Sequence, residues 1–441
     1  MSMNSGKRYC IIGGGPMGIA AGKWFKKAGF SFDILEVHGD FGGTWNFDGV
    51  NGKVYESVHL ISTKKMTEMT DFPMPETDAP YPRHDRYLNY LRSIAKHHRL
   101  YDQALFNHKV VSVKKIRDQW EVTTENGRRV VYDGLLVSIS QFTRPMYPEF
   151  KGEFKGETLH ARFYKYANIF DGKNVLIVGG GNSGCDIAVD AARRAKKTFH
   201  STKSGYHFFP KFIFGQPTYE WMQDHVKDFK TTAEFWSFLE TTFKNAGCDG
   251  ADYGLPAPSD PIESVLPLYG QQLLYHIGHG DVLPKPNVKL LKEHSVVFDD
   301  GSEEDIDINI YATGYKSSFP FFEEDVMPWR NERYGGTEHL YLGMFSQVHH
   351  NLLFMGFVKS KGQSYGQFVN VQGRLAANYL KAYENKSEAY RIFRKTLTMD
   401  MPRLNVDDFV NSRITLWDIL KGFHYFSDKL RQADAPAGEV A

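Results

Sequence analysis

The chain has 441 residues, with 53 Lys+Arg against 52 Asp+Glu and a formal net charge of +1; that balance excludes a charge-driven nucleic-acid binder and an acidic disordered tail. Apolar residues make up 41%, enough for a sizeable core. The three cysteines (Cys10, Cys185, Cys248) lack CxxC spacing, excluding a disulfide-stapled secreted domain and a cysteine-rich zinc module and fitting a reducing cytoplasm. The polar Met1–Lys7 is no signal peptide, and no apolar run reaches the roughly 18–20 residues that span a bilayer, so no membrane partner is expected.

Tyr9–Ile12 reads as a short apolar strand that enters Gly13-Gly14-Gly15-Pro16-Met17-Gly18. A helix follows to Lys27, with Gly29 as its stop, and a second strand covers Phe32–Val37 with Glu36 near its end. Strand, glycine turn, helix and strand make a βαβ unit. Val110–Ile116, Trp120–Thr124 and Arg129–Val131 read as a β-meander, and Gly134–Ile139 as a further strand. The opening pattern returns at strand Asn174–Val178, which enters Gly179-Gly180-Gly181-Asn182-Ser183-Gly184, a helix over Cys185–Ala195 and a strand over Lys197–Ser201.

Residues 206–285 differ, with many aromatics, helical periodicity around Tyr219–Lys244 and Ile262–His276, and a Gly/Pro/Asp-rich break at Gly247–Pro261. They read as an insertion. Its aromatics, among them Tyr206, Phe208, Phe209, Phe212, Phe214, Tyr219 and Trp221, form a subdomain core or dimer contact, or else wall a substrate entrance; the core is the plainer reading. Strands resume at Val288–Leu291 and Ile308–Ala312. Helices at Val371–Glu384, Ser387–Thr396 and Leu416–Gln432 close the chain before a frayed Ala433–Ala441.

Each glycine loop has the flanks of a dinucleotide cradle. The first glycine permits the tight turn, the second lets the pyrophosphate approach, and the third lets helix and strand pack; the helix N-terminus then faces the anion. The two copies predict unlike ligands. Glu36 lies 23 residues past Gly13, near the usual separation of about 20. A carboxylate there accepts from ribose hydroxyls and repels a 2′-phosphate, so Gly13, Gly15, Gly18 and Glu36 fit FAD or NAD. The second copy has no acidic residue after its strand. Lys203, 24 residues past Gly179, and the hydroxyl of Ser204 fall where a 2′-phosphate lies. With Gly179, Gly181, Asn182, Ser183 and Gly184 they predict NADPH. FAD and NADPH on one chain imply hydride transfer from nicotinamide to flavin. A disulfide reductase would need a redox CxxC, so dioxygen or a diffusible acceptor takes the electrons.

Phe154-Lys155-Gly156-Glu157-Thr158-Leu159-His160-Ala161-Arg162-Phe163-Tyr164 fits FxGxxxHxxx(Y/F) and stands just before the second glycine loop. Gly42-Gly43-Thr44-Trp45, Asp71-Phe72-Pro73-Met74-Pro75 and Ala312-Thr313-Gly314-Tyr315 fit GGxW, DFPxP and ATGY. Over nearly its whole length the chain resembles the flavin-containing monooxygenases, of the N,N-dimethylaniline monooxygenase type, a branch of the class B flavoprotein monooxygenases. The Baeyer–Villiger branch usually has Trp at the last fingerprint position, and Tyr164 resembles the N/S-oxygenating branch.

The resemblance implies an α/β fold of two Rossmann-like domains of the three-layer ββα type, the NADPH domain inserted in the FAD domain. The division expected is 1–165 (FAD, first part), 166–315 (NADPH, with the 206–285 insertion) and 316–441 (FAD, C-terminal part). It implies that Gly43, Thr44, Trp45, Leu60 and Val110 accompany the first glycine loop around FAD, and that Cys185, Asp186, Thr313 and Gly314 accompany the second around NADPH. Phe154, Gly156, His160 and Tyr164 would form the hinge between domains, with His160 no acid–base catalyst. Gly356–Gln372, with Lys359, Lys361 and Gln363, would close over the flavin, Gln372 nearing its ring.

One departure stands out. The family usually has Asn in the segment before DFPxP, and aligning Ser57-Val58 and Lys64 puts Ile61 there, or Ser62 after a one-residue shift. Ile61, Ser62 and Thr63 are therefore the candidate catalytic positions. By resemblance NADPH reduces FAD, the reduced flavin adds dioxygen at C4a, and the C4a-hydroperoxyflavin gives its distal oxygen to an amine nitrogen or sulfide sulfur. A homodimer is expected. Three alternatives remain: a Baeyer–Villiger ketone oxygenase, an uncoupled NADPH oxidase prompted by Ile61, and an FAD/NADPH redox sensor without turnover.

Overall fold

The computed structural model describes residues 6–265, 268–329, 339–357 and 364–398. The expected helix Leu416–Gln432, the tail Ala433–Ala441 and Lys359, Lys361 and Gln363 lie outside them.

Two sheets organise the chain. The first has seven strands in the order Leu340–Tyr341, Phe345–Ser346, Leu352–Phe354, Gly134–Val137, Arg8–Ile12, Ser31–Leu35, Ala104–Leu105. The last five pair in parallel. The second has five parallel strands: Glu157–His160, Ile308–Tyr311, Asn174–Val178, Lys197–Ser201, Val282–Lys285. Chain from 8–137 and 340–354 builds one sheet and chain from 157–311 the other, so the second unit is inserted in the first.

Each sheet is covered on both faces, which explains why the parallel strands read as continuous apolar runs. On one face of the first sheet, Tyr9, Ile11, Ile34, Leu136 and Leu353 pack with helices Pro16–Lys27, His84–His97 and Tyr365–Glu384. Alternate residues Cys10, Ile12, Leu35, Leu135 and Val137 face the antiparallel sheet Val110–Ile116, Gln119–Thr124, Arg129–Tyr132 through Val113, Trp120 and Val122. The second unit repeats this plan. Val175, Ile177, Ile308 and Ile310 pack with helix Asn182–Ala192. Leu176, Val178 and Phe199 pack on Val288, Val296 and Phe298 of the antiparallel strands Val288–Leu291 and Ser295–Phe298. Both units are three-layer ββα.

The fingerprint strand Glu157–His160 pairs with Ile308–Tyr311, and Lys151–Gly152 with Leu290–Leu291. Chain from 151 onward therefore pairs within the second unit, Lys151–Gly152 in its antiparallel layer and Glu157–His160 in its parallel sheet, ahead of the expected division at 165/166. The polar alternation of these short strands gave no sign of which sheet they join; the pairing partner lies about 150 residues downstream. The two crossings between units run side by side, Arg144–Pro145 pairing antiparallel with Tyr315–Lys316.

The aromatic insertion is mostly core. Phe208, Phe209, Trp221, Phe235 and Phe243 are buried against the second unit's helix, whereas Tyr206, Phe212 and Phe214 are exposed. Its helices are Thr218–His225, Thr232–Asn245 and Gln271–Gly278, shorter than the periodicity predicts because Phe229–Thr231 and the chain at 246–265 interrupt them. Strand Val282–Lys285 is already part of the second sheet.

Candidate functional site

The two glycine loops leave the C-terminal ends of strands Arg8–Ile12 and Asn174–Val178 and are built alike. Gly13 and Gly179 hold φ of 110° and 119°, open only to glycine. A Cβ on Gly18 would lie 1.8 Å from Gly13 O, and one on Gly184 1.8 Å from Gly179 O, so both third glycines serve helix–strand contact. The second glycines face space. A Cβ on Gly15 would meet only Gly43 Cα at 3.6 Å, and one on Gly181 nothing within 4 Å. Gly15 and Gly181 N-cap their helices without a side-chain cap, and neither helix has an acid in its first turn. Both N-termini therefore present uncapped N–H groups and the positive end of a helix dipole to an anion.

Glu36 is buried at the tip of Ser31–Leu35. Its Oε2 accepts from Gly14 N–H, and its Oε1 accepts from His38 N–H at 2.9 Å. His38 Nε2 accepts from Asn51 N–H at 3.0 Å, leaving Nδ1 the protonated ring nitrogen, 2.9 Å from Glu36 Oε1. The carboxylate is thus anchored beside the loop with lone pairs left for ribose hydroxyls. The Gly43–Trp45 turn comes so close that a Cβ on Gly43 would meet Gly15 Cα at 2.8 Å, and Trp45 packs edge-on to Tyr87 at 4.7 Å. Thr44 O accepts from Lys53 N–H at 2.9 Å. Gln372 is fully buried; its Oε1 accepts from Gly356 N–H at 3.3 Å while its Nε2 has no partner among the described residues. A Cβ on Gly356 would meet Met17 Cγ at 3.0 Å, which puts this orphaned donor beside the first cradle. The open second glycine, anchored Glu36 and unsatisfied amide together fit FAD.

Val110 begins the antiparallel layer and is partly buried against the Ile12–Leu35 side of the core. Leu60 is a core residue, not an exposed lining one. Ile61 is 41% exposed. Ser62 and Thr63 use their hydroxyls locally: Ser62 Oγ is 2.7 Å from Thr67 Oγ1, and Thr63 caps the Lys64–Thr67 turn by accepting from Met66 N–H at 3.3 Å. Of the three candidate catalytic positions, Thr63 is buried as a cap and Ile61 stands free.

At the second cradle, Ser183, Lys203 and Ser204 are exposed around the helix N-terminus and the end of Lys197–Ser201. Asn182 Oδ1 accepts from Tyr269 N–H at 2.9 Å, tying the insertion to the loop. Thr202 Oγ1 donates to Ser204 O at 2.6 Å and shapes the turn that carries Lys203. These groups fit a phosphorylated ribose. Cys185 does not face it: the thiol points inward, 3.6 Å from Gly180 O, and burial pushes its pKa up. Only its backbone is available to a coenzyme.

The fingerprint grips the crossings. Arg162 N–H donates to His160 Nδ1 at 3.1 Å, so Nε2 carries the proton and donates to Gly314 O at 3.2 Å. Burial lowers the His160 pKa. Both ring nitrogens are occupied, and a ring that accepts at Nδ1 is neutral. Thr313 Oγ1 donates to Met146 O at 2.5 Å, and Arg162 Nη1 to Thr143 O at 3.0 Å. Phe154 packs in the second unit's outer layer, over Gly156, where a Cβ would meet its ring at 2.5 Å. Tyr164 OH donates to Asp190 Oδ2 at 2.8 Å.

Sequence reasoning missed Lys53, Tyr55, Ser57, Arg162 and Asp190, all at the join between units. Lys53 Nζ donates to Phe142 O and to Ser140 Oγ at 3.2 Å. Burial, and then Arg162, lower its pKa to about 7. Asp186 accepts from Tyr55 OH at 3.0 Å. The four-residue spacing of Asp186 and Asp190 on one helix face was a readable signal.

Residues 6–401 match the FMO-like family, flavin-binding monooxygenase-like. Flavin-containing monooxygenase 1 of Sus scrofa is 36% identical over 344 residues, 73% of this chain and 64% of that protein. Flavin-containing monooxygenase 3 of Homo sapiens is 32% identical over 410 residues, 85% and 74% of the two chains. Among solved structures, the open form of cyclohexanone monooxygenase superposes with a TM-score of 0.70 over 97% of both chains, at 14% identity, which speaks to fold alone. The chain belongs to the flavin-binding monooxygenase-like family. It spans about two thirds of the pig relative's length.

Proposed function

We propose that this protein is an NADPH- and dioxygen-dependent flavin monooxygenase that oxygenates amine nitrogen or sulfide sulfur. One observation carries the reading: a single chain holds two like-built cradles with opposite ribose-side chemistry, a buried carboxylate at Glu36 and an exposed Lys203 with Ser204. FAD, held by the first, supplies hydride acceptance and oxygen activation; NADPH, held by the second, is the reductant. The Gly15 and Gly181 caps receive the two pyrophosphates, Glu36 takes the FAD ribose and Lys203 the 2′-phosphate. Gln372 would offer its amide toward the flavin side. His160, Thr313 and Arg162 keep the crossings in register and move no proton. A soft nitrogen or sulfur nucleophile attacks with its lone pair, so no strong base is needed, and the protein's work is orientation and exclusion of water.

The domain division proposed is an FAD part up to the 144–145 crossing, an NADPH part to 315, and an FAD part beyond. We place the protein in the cytoplasm, where its three free, buried cysteines stay reduced, and expect a homodimer, checked by sedimentation. Among the described residues no helix is long and apolar enough to cross a membrane.

The test is a visible spectrum of the purified protein followed by NADPH oxidation with a tertiary amine, a thioether and a ketone. A yellow protein forming N- or S-oxide supports the proposal. Product from ketones alone moves it to the Baeyer–Villiger branch, and a colourless protein overturns it.

A further inference from the structure

Helix Asn182–Ala192 carries the second cradle on its N-terminus, and its next two turns are fastened to chain from the first unit. Tyr55–Val58 is a tight turn closed by Val58 N–H donating to Tyr55 O at 3.1 Å. The first residue of that turn sends its hydroxyl to Asp186 Oδ2 at 3.0 Å, and the third sends its own to Asp190 Oδ2 at 2.6 Å. Asp186 and Asp190 are four apart and so share one helix face, about 6 Å from each other along the axis. Tyr164 OH gives Asp190 Oδ2 a second donor at 2.8 Å. The Tyr55 ring is buried in the second unit's core, 5.2 Å from the Tyr164 ring. The turn is backed from behind: Glu56 N–H donates to Lys165 O at 2.9 Å, and Lys165 Nζ donates to Phe47 O and Val54 O, each at 2.9 Å. Six residues after Tyr55 the chain reaches Ile61.

We propose that Asp186 and Asp190 are positioning residues: with Tyr55 and Ser57 they bolt the NADPH-bearing helix to the segment leading to Ile61–Thr63 and so set the approach of hydride donor to acceptor. The inference rests on the FAD/NADPH reading above. Its logic is rigidity. The helix N-terminus fixes one coenzyme, and its second and third turns fix the strap that returns to the first unit's core at Leu60. Two short bonds to carboxylates one turn apart oppose both sliding along the helix and rotation about it, which a single contact cannot do. The strap's contribution is to geometry, since the Tyr55 and Ser57 hydroxyls bond the carboxylates of the second and third turns and not the N–H groups of the first.

The bolt has a titratable half. Burial raises the Asp186 carboxyl to about 6, against the pull of Lys211 and the Tyr55 hydrogen bond, with Asp190 adding to the rise. Below that pH Asp186 is protonated and its bond with Tyr55 ceases to be charge-assisted.

The experiment uses the flavin-loaded enzyme mixed anaerobically with NADPH, following bleaching of the flavin. Ser57→Ala and Tyr55→Phe each delete one hydroxyl and leave the fold's apolar contacts. Each variant is expected to bleach roughly 10- to 100-fold more slowly, as small misplacements of reacting groups do. The half-saturating NADPH concentration and the flavin content should stay near the wild-type values, with a full isotope effect from 4-deuterated NADPH. The wild-type bleaching rate should fall as pH drops through about 6, and Tyr55→Phe should lack that break; Asp190→Glu should recover more rate than Asp190→Ala. Unchanged bleaching in both hydroxyl variants, or a slowing explained wholly by weaker NADPH binding or lost flavin, overturns the proposal. A wild-type enzyme that NADPH never bleaches would instead sink the underlying cofactor reading.

Discussion

Gly15→Val separates coenzyme binding from folding. Gly15 has an ordinary extended φ of −77°, and an added Cβ meets only Gly43 Cα at 3.6 Å, a normal contact. The folding cost is that of a poorer N-cap, about 1 kcal/mol, or a melting shift of a few degrees. The branched side chain nevertheless projects over the uncapped N–H groups that the pyrophosphate needs. Losing two hydrogen bonds to a charged group costs about 3–6 kcal/mol, or roughly 10²- to 10⁴-fold in FAD affinity. Gly18→Ala is the contrast: its Cβ would sit 1.8 Å from Gly13 O and 2.9 Å from Gly13 C, both backbone. Helix and strand must part, at a cost of about 3 kcal/mol or more. The assay is flavin absorbance per protein after purification, with thermal melting of the apoproteins. Gly15→Val should be colourless yet melt near the wild-type apoprotein; Gly18→Ala should melt well below it. A yellow Gly15→Val protein would refute the cradle assignment.

Other expectations follow from the same geometry. Lys203→Ala should weaken NADPH by roughly 10- to 100-fold, the worth of one charge-assisted bond, and leave NADH unchanged; equal losses in titrations of both coenzymes would remove Lys203 from the 2′-phosphate. Ile61→Asn, at a half-open position where substitution is inexpensive, should cut hydrogen peroxide released per NADPH consumed by about twofold or more, by restoring an amide donor; an unchanged yield would show that Ile61 does not govern coupling. Lys53 has a folded pKa of about 7 against 10.5 unperturbed. Between those values the unfolded chain binds the extra proton, so stability rises with pH across the window. Lys53→Met should flatten the difference in urea midpoint between pH 7 and pH 9; an identical slope would contradict the burial of that amine.

Local signals carried the cradles far. Gly13, Gly15 and Gly18, and again Gly179, Gly181 and Gly184, are legible because each answers a backbone constraint within a few residues: a positive φ, an open cap, a close helix crossing. Glu36 and Lys203 are legible because a strand of known rise places them at a fixed distance from the loop. Cys185 misleads the same reasoning, since adjacency to the loop says nothing about which face of the helix a residue occupies, and its side chain turns into the core.

What the sequence determined by itself was therefore the pair of βαβ units, the two coenzymes and the family, all encoded by short-range spacing and by apolar runs that demand two covered faces. The tertiary structure alone decided which sheet the fingerprint strand joins, that His160 is held neutral against Gly314, and that Tyr55 and Ser57 reach Asp186 and Asp190. Those pairings join residues more than a hundred positions apart. Only the packing of one unit on the other brings them within hydrogen-bonding distance, and periodicity along the chain carries no record of it.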